Sequence, residues 1–219
     1  MRNYSFNFTK QFEYEDAFFK FLELRKRFFV DQLDWDVPHD DVMEMDQYDN
    51  PKAWYSLVEH NGEIVGGART MPTNATWGAH TCMLADAVRG KLVDIPSTVL
   101  DENISNSDVW ECTRLVISDD LETQVERSEC LRLIVDGLVK MAASNKANHL
   151  ISLSPIALTR ALRQLGFDAK RIGVPYLNEG DGRRYAVLMM PATQSNRESR
   201  YVVAQEIEQK RDELELALN

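Results

Sequence analysis

The sequence predicts a single mixed α/β domain, and two observations carry this prediction. A hairpin signal at Asn61 and Gly62 separates two apolar runs. From residue 109 onward, short apolar runs alternate with longer amphipathic segments in the order β-α-β-α-β. The chain has 219 residues, 44% of them apolar, which suits one domain with a sizeable core. We assign residues 1–192 to this domain and expect the polar residues 193–219 to form a helical tail.

The first predicted helix covers residues 14–30. Its apolar side chains recur at spacings of three and four and form one stripe: Phe18, Phe21, Leu22, Phe28 and Phe29. Arg25 falls on the same stripe. A cation on a buried face costs several kcal/mol unless a carboxylate answers it, so we expect Arg25 to have an acidic partner.

An acidic stretch that follows this helix could supply the partner. Residues 31–49 contain no Lys or Arg, but they contain eight acids: Asp31, Asp34, Asp36, Asp40, Asp41, Glu44, Asp46 and Asp49. Such a concentration repels itself unless cations lie nearby. The alternative interpretation is a solvated acidic loop.

The predicted hairpin consists of strands 54–59 and 63–71. In the second strand Arg69 shares one face with Val65, Gly67 and Met71. Arg69 is therefore a second cation that faces either the core or a cleft. We expect residues 74–108 to be irregular, apart from a short helix near 84–92.

The C-terminal half is predicted to contain strands at 109–117, 149–153 and 185–190, with a helix at 122–146. A further helix is expected to begin with Ser154 as N-cap and Pro155 as first residue, and to end at Gly166. In the first of these strands Glu111 and Arg114 have opposite parity. They can act together only if a bulge or a strand end lies between them, and the alternative is that both are surface charges.

The formal charge of −10 indicates an acidic protein that does not bind nucleic acid, but the charge is unevenly distributed. Residues 140–184 hold eight basic and three acidic residues. No run of apolar residues is long enough to span a membrane, and residues 1–10 do not resemble a signal peptide. We expect a cytoplasmic protein whose three cysteines serve packing.

The sequence lacks the motifs of several common enzyme classes. There is no G-x-S-x-G, G-x-x-x-x-G-K-[ST] or G-x-G-x-x-G motif, and no His pair has helical metal spacing. We therefore expect neither a metal site nor a bound cofactor. What remains is a set of isolated arginines and carboxylates, which suits a ligand that carries both signs of charge.

Four segments in order resemble the acyl-homoserine-lactone synthases, the autoinducer synthases of bacterial quorum sensing. They are Arg25-x3-Phe29-x5-Trp35, Glu44-Met-Asp46-Gln-Tyr-Asp49, Arg69-Thr-Met-Pro72-Thr73 and Glu111-Cys-Thr-Arg114. The resemblance implies a three-layer α-β-α sandwich like that of the GNAT-type N-acetyltransferases, whose mixed, twisted sheet has a V-shaped cleft between central strands. The pyrophosphate loop of those acetyltransferases, [QR]-x-x-G-x-[GA], is missing between Ile117 and Cys130.

The implied reaction uses S-adenosylmethionine as a substrate. Its amine attacks the thioester of an acyl chain on acyl carrier protein or coenzyme A, and its carboxylate then displaces methylthioadenosine to close the lactone. The resemblance implies that six residues bind S-adenosylmethionine: Arg25, Phe29, Trp35, Asp46, Asp49 and Arg69. It also suggests Glu111 as general base through a water, with Glu44 as second candidate and Arg114 orienting Glu111.

For the acyl chain, the resemblance suggests hydroxyl groups near the third carbon, from Thr113 and from Ser152 or Ser154. The basic segment suggests a docking surface for an acidic acyl carrier protein, formed by Lys140, Lys146, Arg160, Arg163, Lys170 and Arg171. An alternative function is the transfer of an acyl group to a different amine on the same fold. Acyl chain length and oligomeric state stay open.

Overall fold

The structure is a computed structural model that describes residues 1–101 and 104–193. The tail predicted at 193–219 lies almost wholly outside these residues. The described strands form one eight-stranded mixed sheet in the order β1-β2-β3-β4-β5-β8-β6, with β7 paired to β8. The strands are β1 (Arg2–Asn7), β2 (Trp54–His60), β3 (Glu63–Pro72), β4 (Val109–Ile117), β5 (His149–Pro155), β6 (Lys170–Arg171), β7 (Tyr176–Leu177) and β8 (Arg184–Pro191).

The helices are α1 (Ala17–Arg25), α2 (Met83–Val88), α3 (Gln124–Ser144) and α4 (Ala157–Gln164), with 3-10 turns at Phe8–Tyr14 and Ser97–Val99. One apolar core lies between α1 and the sheet. A second lies between the sheet and the pair α3 and α4. Because helices cover both faces of the sheet, the predicted three-layer sandwich is confirmed.

The helix predicted at 14–30 is only partly regular. It begins at Ala17, is α-helical to Arg25, and continues as a wider π-helix over Lys26–Gln32. Long π segments are rare and often mark functional sites. Here the wider turns bring Phe29 to the inner side, where it is buried.

Two features of β4 shape the centre of the sheet. First, β4 and β5 pair in parallel only from Val109 to Glu111, and no ladder joins them beyond that point. Second, Arg69 pairs with Thr113 and Gly67 with Val116, so two residues of β4 oppose one of β3. This bulge holds Arg114 at φ 56°, a left-handed conformation. The divergence is the predicted V-shaped cleft, and the bulge lies between Glu111 and the end of β4.

The predicted start of the last helix is wrong. Ser154 and Pro155 belong to β5, where they pair with Ala186 and Tyr185, and α4 begins only at Ala157. Proline is tolerated there because β5 has no strand ladder on its β4 side beyond Ile151, so no ladder hydrogen bond needs its missing N–H. The short strands β1, β6 and β7 were not predicted.

Helix α3 packs closely against β1 and β2 at Gly137. A methyl group at this position would overlap Ser56 Oγ and lie 2.8 Å from Ser5 Oγ. Alanine normally favours a helix over glycine by about 1 kcal/mol. We expect the opposite sign for Gly137→Ala, a loss of about 1 to 3 kcal/mol of unfolding free energy because the contact is already full. Chemical denaturation would test this, with Ser144→Ala on the exposed end of α3 as control. A stabilised Gly137→Ala variant would contradict the close packing.

No helix among the described residues is long and apolar enough to cross a membrane. The three cysteines are free thiols, and Cys82 and Cys130 are buried.

Candidate active site

The centre of the site is a buried network of three arginines and three carboxylates. Arg25, the last residue of α1, has no exposed surface. Its Nε donates to Glu44, and its two Nη atoms donate to the two oxygens of Asp49, each at 2.9 Å. The Tyr55 hydroxyl adds a hydrogen bond of 2.8 Å to Asp49. The predicted partner of Arg25 is therefore confirmed, and the solvated-loop alternative is wrong for these acids.

Arg69 and Arg114 complete the network from the sheet. Arg69 donates through both Nη atoms to Asp46, contacts Asp49 at 2.8 Å, and donates from Nε to Thr113 Oγ1 at 3.0 Å. Arg114 contacts Glu44 at 3.1 Å and Asp46 at 2.8 Å. Because three positive and three negative groups alternate, each buried charge has partners of opposite sign.

The network also sets the protonation of its acids. Burial alone would raise the pKa of Asp49, but the guanidinium groups of Arg69 and Arg25 hold this pKa far below its usual range. The pKa of Asp46 is lowered in the same way by Arg69 and Arg114. Both carboxylates therefore stay ionised.

An aromatic wall borders this network. The π-helical segment presents Phe29, whose ring stacks on Trp35 at 5.1 Å with an interplanar angle of 28°. The Arg114 guanidinium lies 5.3 Å from the centre of the Phe29 ring. Trp35 Nε1 is buried and has no hydrogen-bond acceptor among the described residues. A ligand acceptor would complete this N–H group.

The opening between β4 and β5 forms a cleft of about 1290 Å³. One arm is bordered by Phe29, Trp35 and Asp46, and a second, apolar arm reaches between the sheet and α3 and α4. Helix α4 lines the second arm with Leu158, Ala161 and Leu162.

Four of the predicted charged or aromatic site residues border the cleft: Phe29, Trp35, Asp46 and Arg114. The other network members, Arg25, Glu44, Asp49 and Arg69, lie behind this wall with no exposed side-chain surface. In this arrangement they would act on a ligand through Asp46 and Arg114. Their direct contact with a substrate stays a prediction.

Glu111 lies apart from the network. Its two oxygens accept the backbone N–H groups of Met83 at 2.8 Å and Leu84 at 2.7 Å, the first residues of α2. Burial raises the pKa of Glu111 to about 7, although these two donors and Arg69 oppose the shift. The prediction that Arg114 orients Glu111 is wrong, because the bulge directs Arg114 toward Glu44 and Asp46. No sequence pattern indicated the contact between Glu111 and α2.

The predicted acyl-pocket residues all border the cleft: Thr113, Ser152 and Ser154. Ser154 Oγ donates to Ser152 Oγ at 2.9 Å, so both hydroxyls of β5 point to the same side. Thr113 Oγ1 already accepts from Arg69.

Four of the predicted docking residues gather at one surface groove of about 830 Å³: Arg160, Arg163, Lys170 and Arg171. Helix α4 therefore separates this basic groove from the apolar arm of the cleft. Lys140 and Lys146 lie on and just after the C-terminal turns of α3 and do not line the groove.

Comparison with known proteins decides the family. A family model described as "Autoinducer synthase" matches residues 9–200. The chain belongs to the autoinducer synthase family. The acyl-homoserine-lactone synthase of Acinetobacter nosocomialis is 28% identical to this synthase over 174 residues, which is 76% of this chain and 88% of that protein.

Two solved structures show the fold of the synthase in other proteins. TofI, solved in a ternary complex with an inhibitor and MTA, is 25% identical with a TM-score of 0.67, over 89% of this chain and 94% of that chain. Escherichia coli ElaA, 13% identical with a TM-score of 0.55 over 86% of this chain and 97% of that one, shares the fold alone. The predicted GNAT-like fold and the predicted enzyme class, an acyl-homoserine-lactone synthase, are confirmed.

No cluster of three or more metal-binding side chains was found in the part of the synthase that the structure describes.

Proposed function

We propose that this synthase acylates the amine of S-adenosylmethionine in the cleft between β4 and β5 and then closes the lactone. In the first step the amine nitrogen bonds to the thioester carbonyl carbon, and the C–S bond breaks to release the carrier thiol with a proton. In the second step the carboxylate oxygen bonds to the γ-carbon, and methylthioadenosine leaves with the electrons of the sulfonium C–S bond.

The observation that carries this proposal is the pair Asp46 and Arg114 at the cleft wall beside Phe29 and Trp35. S-adenosylmethionine carries a sulfonium and an ammonium, which suit Asp46, and a carboxylate, which suits Arg114. The two rings offer an apolar and cation-attracting surface. The free Trp35 Nε1 is a donor for an oxygen or nitrogen of the same ligand.

We assign the role of general base to Glu111. A proton acceptor works best when its pKa lies near the working pH, and the value of about 7 meets this condition. Glu111 does not border the cleft, so a water must carry the proton from the amine to it. Each carboxylate oxygen keeps a lone pair that can accept from such a water. Glu44 is less suited because both its oxygens are held by Arg25 and Arg114.

The acyl chain is assigned to the apolar arm of the cleft. Ser152 and Ser154 would hydrogen-bond a polar substituent near the thioester, and the core side chains at the far end of the arm would limit chain length. Strand β4 has no ladder partner on this side after Glu111, so backbone N–H groups near the bulge are available to polarise the thioester carbonyl.

The donor is proposed to be an acyl carrier protein that docks at the basic groove. The N-terminus of α3, where a phosphate could otherwise bind, is closed by a Thr123–Glu126 capping box and carries the exposed acids Asp119, Asp120 and Glu122. This charge disfavours the phosphates of coenzyme A. We also assign the reaction to the cytoplasm, in agreement with three cysteines that form no disulfide.

The reaction can be tested by incubating the enzyme with S-adenosylmethionine and octanoyl acyl carrier protein. We expect methylthioadenosine and an acyl-homoserine lactone in equal amounts by mass spectrometry. Acyl transfer to another amine without methylthioadenosine release would replace the proposal with the alternative acyltransferase function. Parallel assays with octanoyl coenzyme A would report the preferred carrier.

Reversing two charges in the groove tests the docking surface. Arg160→Glu with Arg163→Glu should raise the KM for the carrier-linked donor about tenfold or more and flatten its salt dependence. Lys140→Glu with Lys146→Glu is the matched control, because it makes the same change in net charge away from the groove. Equal effects of the two pairs would refute a specific docking groove and leave only a general charge effect.

A further inference from the structure

Asp86 is a buried acid that the reaction scheme does not use. Its side chain has no exposed surface. It accepts hydrogen bonds from Thr81 Oγ1 at 2.7 Å, from the Thr81 N–H at 3.2 Å and from the Tyr48 hydroxyl at 3.1 Å. The Lys91 ammonium lies 3.2 Å away. Asp86 therefore joins the segments before and after α2 to the acidic stretch.

Asp86 belongs to the same helix that holds Glu111. Helix α2 has six residues, and a helix of this length does not hold its own shape or position without tertiary contacts. Its first two N–H groups, of Met83 and Leu84, donate to Glu111, and Asp86 follows within the next turn. The position of these two donors thus depends on what anchors the rest of α2.

The other residue that anchors Asp86 is Tyr48, which contacts two members of the ionic network. Its N–H donates to Asp46 Oδ1 at 2.8 Å, and the Arg69 guanidinium lies 5.6 Å from its ring centre. Burial and the adjacent Asp86 raise the pKa of Tyr48 well above its usual range, so its hydroxyl stays a donor. A continuous chain of contacts therefore runs from Asp46 through Tyr48 and Asp86 to the donors on Glu111.

We propose that Asp86 is a positioning residue, which anchors α2 so that Met83 and Leu84 hold Glu111, and which links the base to the substrate-binding Asp46 through Tyr48. The proposal rests on the proposed role of Glu111 as base. Asp86 does not touch the reacting atoms. Its contribution is geometric, because it fixes the distance between two backbone donors and one carboxylate.

Loss of the two α2 donors would shift the pKa of Glu111 in one direction. Two N–H donors stabilise the ionised carboxylate and so oppose the raising of its pKa by burial. If α2 shifts just enough to take these two N–H groups out of hydrogen-bond distance while Glu111 stays buried, the pKa of Glu111 rises and less of the base is ionised at neutral pH. The other charged or titratable groups that act on Glu111 are Arg69 on β3, the Cys112 thiol on β4, the Cys82 thiol at the N-cap of α2, and Tyr48.

The test is the pH profile of kcat for Asp86→Asn. We expect its acidic limb to move to higher pH by about one unit. Loss of the negative charge of Asp86 alone would move the limb to lower pH, so the direction separates positioning from electrostatics. An acidic limb that stays in place or moves down would overturn the proposal. Asp108→Asn, an exposed acid outside these contacts, should leave the profile unchanged.

Two further variants keep the outcome interpretable. Tyr48→Phe removes the hydroxyl anchor but keeps the charge of Asp86. We expect its acidic limb to move to higher pH by the same amount. If Asp86→Asn does not fold, the pH profile of Tyr48→Phe serves as the test. Glu111→Gln tests the underlying role. If Glu111→Gln turns over normally, the base assignment has failed, whereas a slow Glu111→Gln with an unshifted Asp86→Asn profile refutes the positioning role alone.

Discussion

Arg25→Met should lower the free energy of unfolding by about 3 to 5 kcal/mol, because it leaves buried carboxylates without their cation. Arg25 supplies both contacts of a bidentate pair with Asp49 and a third contact with Glu44. Methionine fills similar space but cannot form an ion pair with Asp49 or Glu44. Denaturant unfolding followed by circular dichroism would measure the loss.

The neighbouring variant Lys26→Met provides the control. Lys26 forms a partly exposed ion pair with Asp31, and such pairs contribute about 1 kcal/mol or less. If Arg25→Met and Lys26→Met lower the free energy of unfolding by similar amounts, burial does not make the charges of the network costly to leave unpaired.

Glu111→Gln should reduce kcat by about 10² to 10⁴, the usual contribution of a general base, with a smaller change in donor KM. The wild-type rate should fall as the pH drops below about 7, because Glu111 then binds a proton and can no longer accept one from the amine. Steady-state release of methylthioadenosine across pH would measure both effects.

Glutamine cannot accept both α2 donors, so folding must be checked in parallel. An unchanged thermal unfolding midpoint with a slow rate supports the role in proton transfer. Glu122→Gln, an exposed position before α3, is the matched control and should have normal turnover. A wild-type rate that is constant between pH 5.5 and 8 would remove Glu111 as the titrating base.

The ionic network was predictable because its signals are local. Arg25 stands on an apolar helical stripe, and the acids that answer it lie in one stretch without a cation. Burial of unlike charges together follows from elementary electrostatics. The pairing of Arg114 with Glu44 and Asp46 was not predictable, since it depends on the bulge at Arg114, and a parity argument cannot locate one extra residue.

Other parts depend on contacts that a linear sequence does not display. Glu111 is held by backbone groups of α2, and backbone donors carry no residue-type signal. Ser154 and Pro155 resemble a helix start by their chemistry, but strand pairing with β8 overrides that local preference. The resemblance to known synthases supplied roles that neither pattern could assign.

Helix α4 has one face in the apolar arm and the other in the basic groove. Positions three or four residues apart share a face, whereas adjacent positions do not. Under the proposed assignments, a change at Ala161 would alter which signal molecule is made, while a change at Arg160 would alter which carrier delivers its precursor. Substitutions at adjacent residues of this short helix would thus let the signal molecule and the acyl donor change independently during evolution.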